Sequence, residues 1–172
     1  INPHLRKNLR YDPLKDLAPV AFVADGPEII AVSASLPVTN LKEFIALART
    51  APDKFNYGTP GVGTLPHLIG DHFARMIGAQ MVHVPFKGSS EAITEMLSDR
   101  IDFYASPINA AAPLIKDGKL RALAVSSKQR ASALPDVPTT VQAGFPNSDY
   151  EFWVGVLLPK NTPRPIVEAF HD

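Results

Sequence analysis

Cysteine is absent from the 172 residues, and so are a net charge and any long apolar run. Without cysteine there is no disulfide framework, no thiolate nucleophile and no Cys-ligated zinc or iron–sulfur centre. Compartment stays open on this count, because a cysteine-free chain suits an oxidising periplasm and a reducing cytosol alike. Seventeen Lys and Arg balance seventeen Asp and Glu, which leaves no electrostatic footprint for a nucleic-acid backbone or an anionic membrane surface. No apolar run approaches the roughly 20 residues of a membrane-spanning helix. The opening Ile1-Asn2-Pro3-His4 has neither a basic n-region nor an apolar h-region. A start without Met in a Pro-containing stretch, and an end at Asp172 inside a helical pattern, give the expectation of a chain truncated at both ends.

What is present is a globular balance, 45% hydrophobic and 20% charged, which excludes a disordered tail. Seventeen prolines are about twice ordinary usage, and they fall mainly between periodic segments as punctuation. Residues 1–19 read as an irregular lead-in with a turn at Tyr11-Asp12-Pro13-Leu14 before a short helical piece. Two separate strands follow, Val20-Ala21-Phe22-Val23 and Glu28-Ile29-Ile30-Ala31-Val32-Ser33. From Asn40 the apolar residues Leu41, Phe44, Ile45 and Ala48 recur at helical spacing, with Asn40 and Glu43 as a capping pair and a stop at Ala51-Pro52.

The pattern then alternates. Strands are expected at residues 54–57, 81–85, 101–105 and 120–125, with helices from Thr64 to Gly78, from the Gly88-Ser89-Ser90 start to about Asp99, and over residues 109–116. Ser89 and Ser90 read as N-caps. Beyond Ser126 lie a Pro-rich connection, a helical turn at residues 141–144, an apolar strand over residues 152–159 in which Phe152 and Trp153 read as core, and a last helix from Pro165 to Phe170. Strands alternating with helices and lacking tight hairpin signals point to an α/β fold with a mostly parallel sheet flanked by helices.

Chemistry concentrates at strand-to-helix turns. Gly58-Thr59-Pro60-Gly61-Val62-Gly63-Thr64 joins a strand to a helix. Its glycines permit positive φ and close approach of a ligand to the main chain, and the helix N-terminus aims unpaired N–H groups outward. Thr59, Gly61, Val62, Gly63 and Thr64 are therefore candidate contacts for an anion, with His67 in the first helical turn as a hydrogen-bonding partner. No lysine follows the last glycine, so this is not a phosphate-binding P-loop, and the glycines do not match the dinucleotide spacing. Phe86-Lys87-Gly88-Ser89-Ser90 repeats the device, and Ser106 and Asn109 sit after the fourth strand. That is the edge where open parallel sheets bind ligands. Together the three loops outline a polar, nearly uncharged cleft.

Enzymatic signatures are scarce: there is no Gly-x-Ser-x-Gly elbow, no His-Glu-x-x-His and no Asp-x-Asp-x-Asp loop. Two alternatives stay open. His67 and Asp71, four residues apart with His72 beside them, could serve a hydrolase by acid–base chemistry or around a metal, although no third ligand stands at suitable spacing. An effector-sensing domain of a transcriptional regulator would share the fold class.

Leu17-Ala18-Pro19-Val20-Ala21, Leu36-Pro37-Val38, the run from Asn56-Tyr57-Gly58 through His67-Leu68, Val82-His83-Val84-Pro85-Phe86-Lys87-Gly88, residues 118–125 and Leu134-Pro135-Asp136-Val137-Pro138-Thr139 together resemble the substrate-binding receptors of tripartite tricarboxylate transporters, the Bug-type, TctC-like proteins. The resemblance runs nearly end to end. It implies a periplasmic-binding-protein-like fold of type II, two lobes closing on a small carboxylate, delivery to the membrane permease subunits of a tripartite transporter, and no cofactor, metal or catalytic residue. By the same comparison, residues 32–123 would be the second lobe, 1–31 a remnant of the first lobe with one hinge strand, and 124–172 the other hinge strand returning into lobe 1. The family's binding loops map onto Thr59 to Thr64 with His67, and onto Ser106 to Asn109. Ser106 stands where many members carry an acidic residue.

Overall fold

The structure, a computed structural model, describes residues 2–51 and 54–171. Ile1, Pro52, Asp53 and Asp172 lie outside them, and with them the expected proline stop and the expected chain ends. Contacts divide the chain into two compact units, Gly26–Phe152 and a smaller one built from Ile1–Asp25 with Trp153–Asp172.

The larger unit contains the whole of residues 32–123. Its strands are the second half of β1 (Leu17–Ser33), β2 (Asn56–Thr59), β3 (Val82–Pro85), β4 (Phe103–Pro107) and β5 (Leu120–Val125), arranged in the order β3-β2-β4-β1-β5. β2 is parallel to β3 and β4, while β1 is antiparallel to both β4 and β5. The sheet is thus mixed, with β1 running against its four companions. Strand–helix alternation suggests crossovers throughout, but the first step, from β1 through α2 (Leu41–Thr50) to β2, passes over β4 and reverses direction. Ile29, Ile30, Ala31 and Val32 are all buried, as expected of a central strand covered on both faces.

One face packs α2 and α3 (Leu65–Ile77) over Ile30, Val32 and Phe103, with Phe44 stacked on Phe73 at 6.3 Å. The other packs α4 (Ser89–Leu97) and α5 (Ile108–Lys116) over Ile29, Ala31 and Tyr104, with Met96 fully enclosed. Local chemistry fixes the helix ends. The Asn40 side chain accepts the Glu43 amide at 3.0 Å and the Glu43 carboxylate accepts the Thr39 amide at 2.6 Å, so the expected capping pair is formed. Gly78 closes α3 in the left-handed conformation.

Several expectations need correction. The two strands foreseen at residues 20–23 and 28–33 are one, β1: Pro27 precedes the first residue paired with β4 or β5, so its missing N–H costs no ladder bond there. Neither Ser89 nor Ser90 caps α4. Gly88 occupies that position without a side-chain bond, and the Glu91 carboxylate accepts the Lys87 amide at 2.9 Å. β2 and β4 each begin two residues later than the apolar runs suggest.

In the smaller unit, α1 (Asn2–Leu5) precedes β1, β1 pairs with β6 (Glu151–Pro159), and α6 (Arg164–His171) follows. The His171 ring meets the Val20 carbonyl at 2.9 Å. Trp153, expected in a core, is 59% exposed. Two strands and two short helices are too little material to cover both faces of a ribbon.

Candidate functional site

Parallel pairing of β2 with β3 and β4 brings three turns to one edge of the sheet. They are residues 60–64 leading into α3, residues 86–88 leading into α4, and the junction of β4 with α5. Two glycines let the first of these lie close in. A Cβ on Gly58 would come 2.3 Å from Ile101 Cδ1, and one on Gly70 would come 2.4 Å from the Tyr57 ring. Glycine at position 70 therefore allows α3 to lie directly on β2, which sets where its N-terminus stands.

The turn itself is held by side chains. Thr59 is fully buried, and its Oγ1 lies 2.6 Å from His83 Nε2, accepts the Gly61 amide at 3.2 Å and sits 3.4 Å from the Gly61 carbonyl. The Thr64 hydroxyl donates to that same carbonyl at 2.7 Å. His67 Nδ1 accepts the Gly63 amide at 3.3 Å, which fixes the imidazole with its hydrogen on Nε2. Gly61 and Gly63 have φ of 132° and 86°, conformations open to glycine at little cost. Val62 projects between them and is 56% exposed.

Thr59, Gly61, Val62, Gly63, Thr64 and His67 thus form one hydrogen-bonded turn, while the sharing of amides differs from the sequence reading. The Gly61, Gly63 and Thr64 amides are taken by Thr59, His67 and the Gly61 carbonyl. Within residues 60–67, the amides left without a partner are those of Val62, Leu65 and His67, one in the turn and two in the first helical turn. Ser106 is fully buried and its hydroxyl faces only the Pro107 carbonyl, at 3.4 Å. Asn109 is exposed in the first turn of α5. Those two belong to the neighbouring strand end, apart from the hydrogen-bonded turn.

Asp71 does not join His67. Its carboxylate pairs with Arg75 at 3.0 Å, one helical turn further on, and the His72 ring meets the Tyr150 hydroxyl.

Sequence reasoning missed His83. Its ring is stacked on Tyr57 at 5.0 Å and lies 4.3 Å from that of His67. Partial burial pushes the imidazole below its ordinary pKa, His67 adds to this, and Asp71 works in the opposite direction. The signal available beforehand was a lone polar residue in Val82-His83-Val84, placed by two-residue alternation on one face of β3. A second buried titratable group stands near the same edge. Glu28 is cross-strand from Pro107, fully buried, and neither carboxyl oxygen has a hydrogen-bond partner. Burial raises its pKa to about 8. Tyr104, whose hydroxyl is likewise buried, is pushed up to about 12 by burial, with Ser89 pulling it down and Glu28 adding a smaller push upward.

Comparison with known proteins gives a consistent result. The description "Tripartite tricarboxylate transporter family receptor" matches residues 1–172. Among curated relatives, a UPF0065 protein of Pseudomonas sp. strain P51 is 33% identical over 94% of this chain and 48% of its own length, and Protein BugT of Bordetella pertussis is 30% identical over 95% and 50%. Among solved structures, R. palustris Rpa4515 with adipate superposes with a TM-score of 0.90 at 33% identity, covering 95% of this chain and 55% of that one. The periplasmic binding protein BugD gives 0.93 at 31% identity, over 96% and 56%. MatC from Rhodopseudomonas palustris with bound malate gives 0.91 at 29% identity, over 97% and 57%. The chain spans about half the length of the relatives it matches, and its fold is that of periplasmic binding proteins. On this match over its whole length, the chain belongs to the receptor family of tripartite tricarboxylate transporters.

Proposed function

We propose that the chain is part of a periplasmic receptor that binds a small carboxylate, a di- or tricarboxylate or an aromatic acid, and delivers it to the membrane permease of a tripartite transporter. The supporting observation is the cluster of unpartnered Val62, Leu65 and His67 amides at the start of α3. They are main-chain donors at a helix N-terminus, and the solved structures similar to this chain include proteins with adipate and malate bound. Main-chain donors and a helix N-terminus hold a carboxylate reversibly. Thr59, Gly61, Gly63 and Thr64 shape the turn, Val62 and His67 offer donors, and Ser106 and Asn109 line the neighbouring strand end.

Binding and release form the whole reaction, and no residue performs a covalent step. Residues 32–123 form the receptor's second lobe, with 1–31 and 124–172 leading to and from the first. Closure of the lobes turns occupancy into a shape that the permease reads. Isothermal calorimetry on the full-length receptor with a panel of aliphatic and aromatic carboxylates tests the reading. Heat of binding with at least one of them is expected. Binding to sugars or cations with silence across the carboxylates would overturn it.

A further inference from the structure

We propose that His83, a residue of β3 outside the turn, is the positioning residue that holds the binding turn in its ligand-ready shape through the hydrogen bond between its Nε2 and Thr59 Oγ1. The inference rests on the reading of residues 59–64 as the ligand-contacting turn.

Thr59 Oγ1 has one hydrogen and two lone pairs, and it has three neighbours: the Gly61 amide at 3.2 Å, the Gly61 carbonyl at 3.4 Å and His83 Nε2 at 2.6 Å. The amide can only donate and the carbonyl can only accept. One lone pair therefore takes the Gly61 amide, and the imidazole at 2.6 Å, much the closest of the three neighbours, sets the direction in which the hydroxyl faces. The Gly61 carbonyl is served whichever way the Thr59 hydrogen points, because it also accepts the Thr64 hydroxyl at 2.7 Å. A buried hydroxyl held by both the Gly61 amide and the imidazole is fixed in rotation, and it holds Gly61 at a φ of 132°.

The ring that makes this bond is itself packed against Tyr57 at 5.0 Å and His67 at 4.3 Å. His67 in turn accepts the Gly63 amide. The two imidazoles thus brace the two glycines whose conformations leave the Val62 amide free. A lowered imidazole pKa for His83 agrees with a neutral ring beside a second histidine.

Amide hydrogen exchange on the unliganded protein, resolved at Gly61, tests the proposal. His83→Phe keeps a stacked ring and removes the hydrogen-bonding nitrogen, Thr59→Val removes the hydroxyl, and His83→Gln returns a hydrogen-bonding amide near the Nε2 position. His83→Phe and Thr59→Val should each speed Gly61 exchange about tenfold, the loss expected for one buried hydrogen bond. The double variant should exchange no faster than either single one, and His83→Gln should restore protection. If His83→Phe does not fold, His83→Leu takes its place as the variant without a hydrogen-bonding group, with His83→Gln compared against it. Unchanged Gly61 exchange in the His83 variant that lacks the hydrogen bond, simply additive effects with Thr59→Val, or failure of Gln to restore protection would overturn the proposal. Titrations with adipate and malate on the same proteins report separately on the carboxylate-receptor reading, since Gly61 exchange is measured without ligand.

Discussion

Glu28 offers a quantitative test of how this protein handles a buried charge. The residue is fully enclosed, both carboxyl oxygens lack partners, and only its backbone is held, with the amide donating to Ser126 Oγ at 3.0 Å. Burial raises the carboxyl from the ordinary 4.5 to about 8, so the folded protein keeps the proton at pH 7 while the unfolded chain releases it. The stability this group allows is complete below the unfolded value and is lost as pH climbs from 4.5 to 8. Each pH unit in that window costs about 1.4 kcal/mol, which amounts to roughly 3 kcal/mol at pH 7. Replacement by Gln or Met removes the titration. Urea unfolding followed by circular dichroism across that window should show Glu28→Gln gaining on the parent by about 1.4 kcal/mol per pH unit. Glu28→Met should show the same slope and a larger offset, since it leaves no polar atom unpaired. A stability difference independent of pH, or a parent more stable than both variants at the alkaline end, would refute the picture of a neutral carboxyl sealed in a nonpolar site.

Three further outcomes follow from close contacts and caps. Gly58→Ala should cost about 1–3 kcal/mol by overpacking, because the new methyl meets Ile101 Cδ1 at 2.3 Å. Adding Ile101→Val should recover part of that loss, and strict additivity in the denaturation double-mutant cycle would count against the contact. Asn40→Ala should lower stability by about 1 kcal/mol through loss of the cap on Glu43, read as a fall in the urea midpoint at unchanged slope. Asp71→Asn should leave the affinity measured by calorimetry within about twofold of the parent, since the carboxylate is committed to an exposed ion pair with Arg75. A loss of a hundredfold would revive the acid–base pairing with His67.

Whatever depends on neighbours a few residues apart could be read from the sequence. The Asn40–Glu43 cap, the glycine stop at position 78 and the bounds of β5 are of this kind, because a side chain three positions away or a left-handed glycine decides them locally. The direction of β1 could not be read this way. Its apolar residues would fill a central strand equally well in either orientation, and only its place between β4 and β5 reveals the reversal. The site divides along the same line. The glycines that shape residues 59–64 show themselves, yet which amides stay free is settled by Thr59, whose hydroxyl takes Gly61, and by His67, whose ring takes Gly63. His83 reaches that turn from 24 residues away. Its sequence neighbourhood, Val82-His83-Val84, describes a half-buried strand and nothing more. Glycine spacing therefore locates the turn, but the amides it leaves free are whatever remains once the protein's own hydroxyls and imidazoles have taken their share. In this chain that remainder is centred on the first turn of α3.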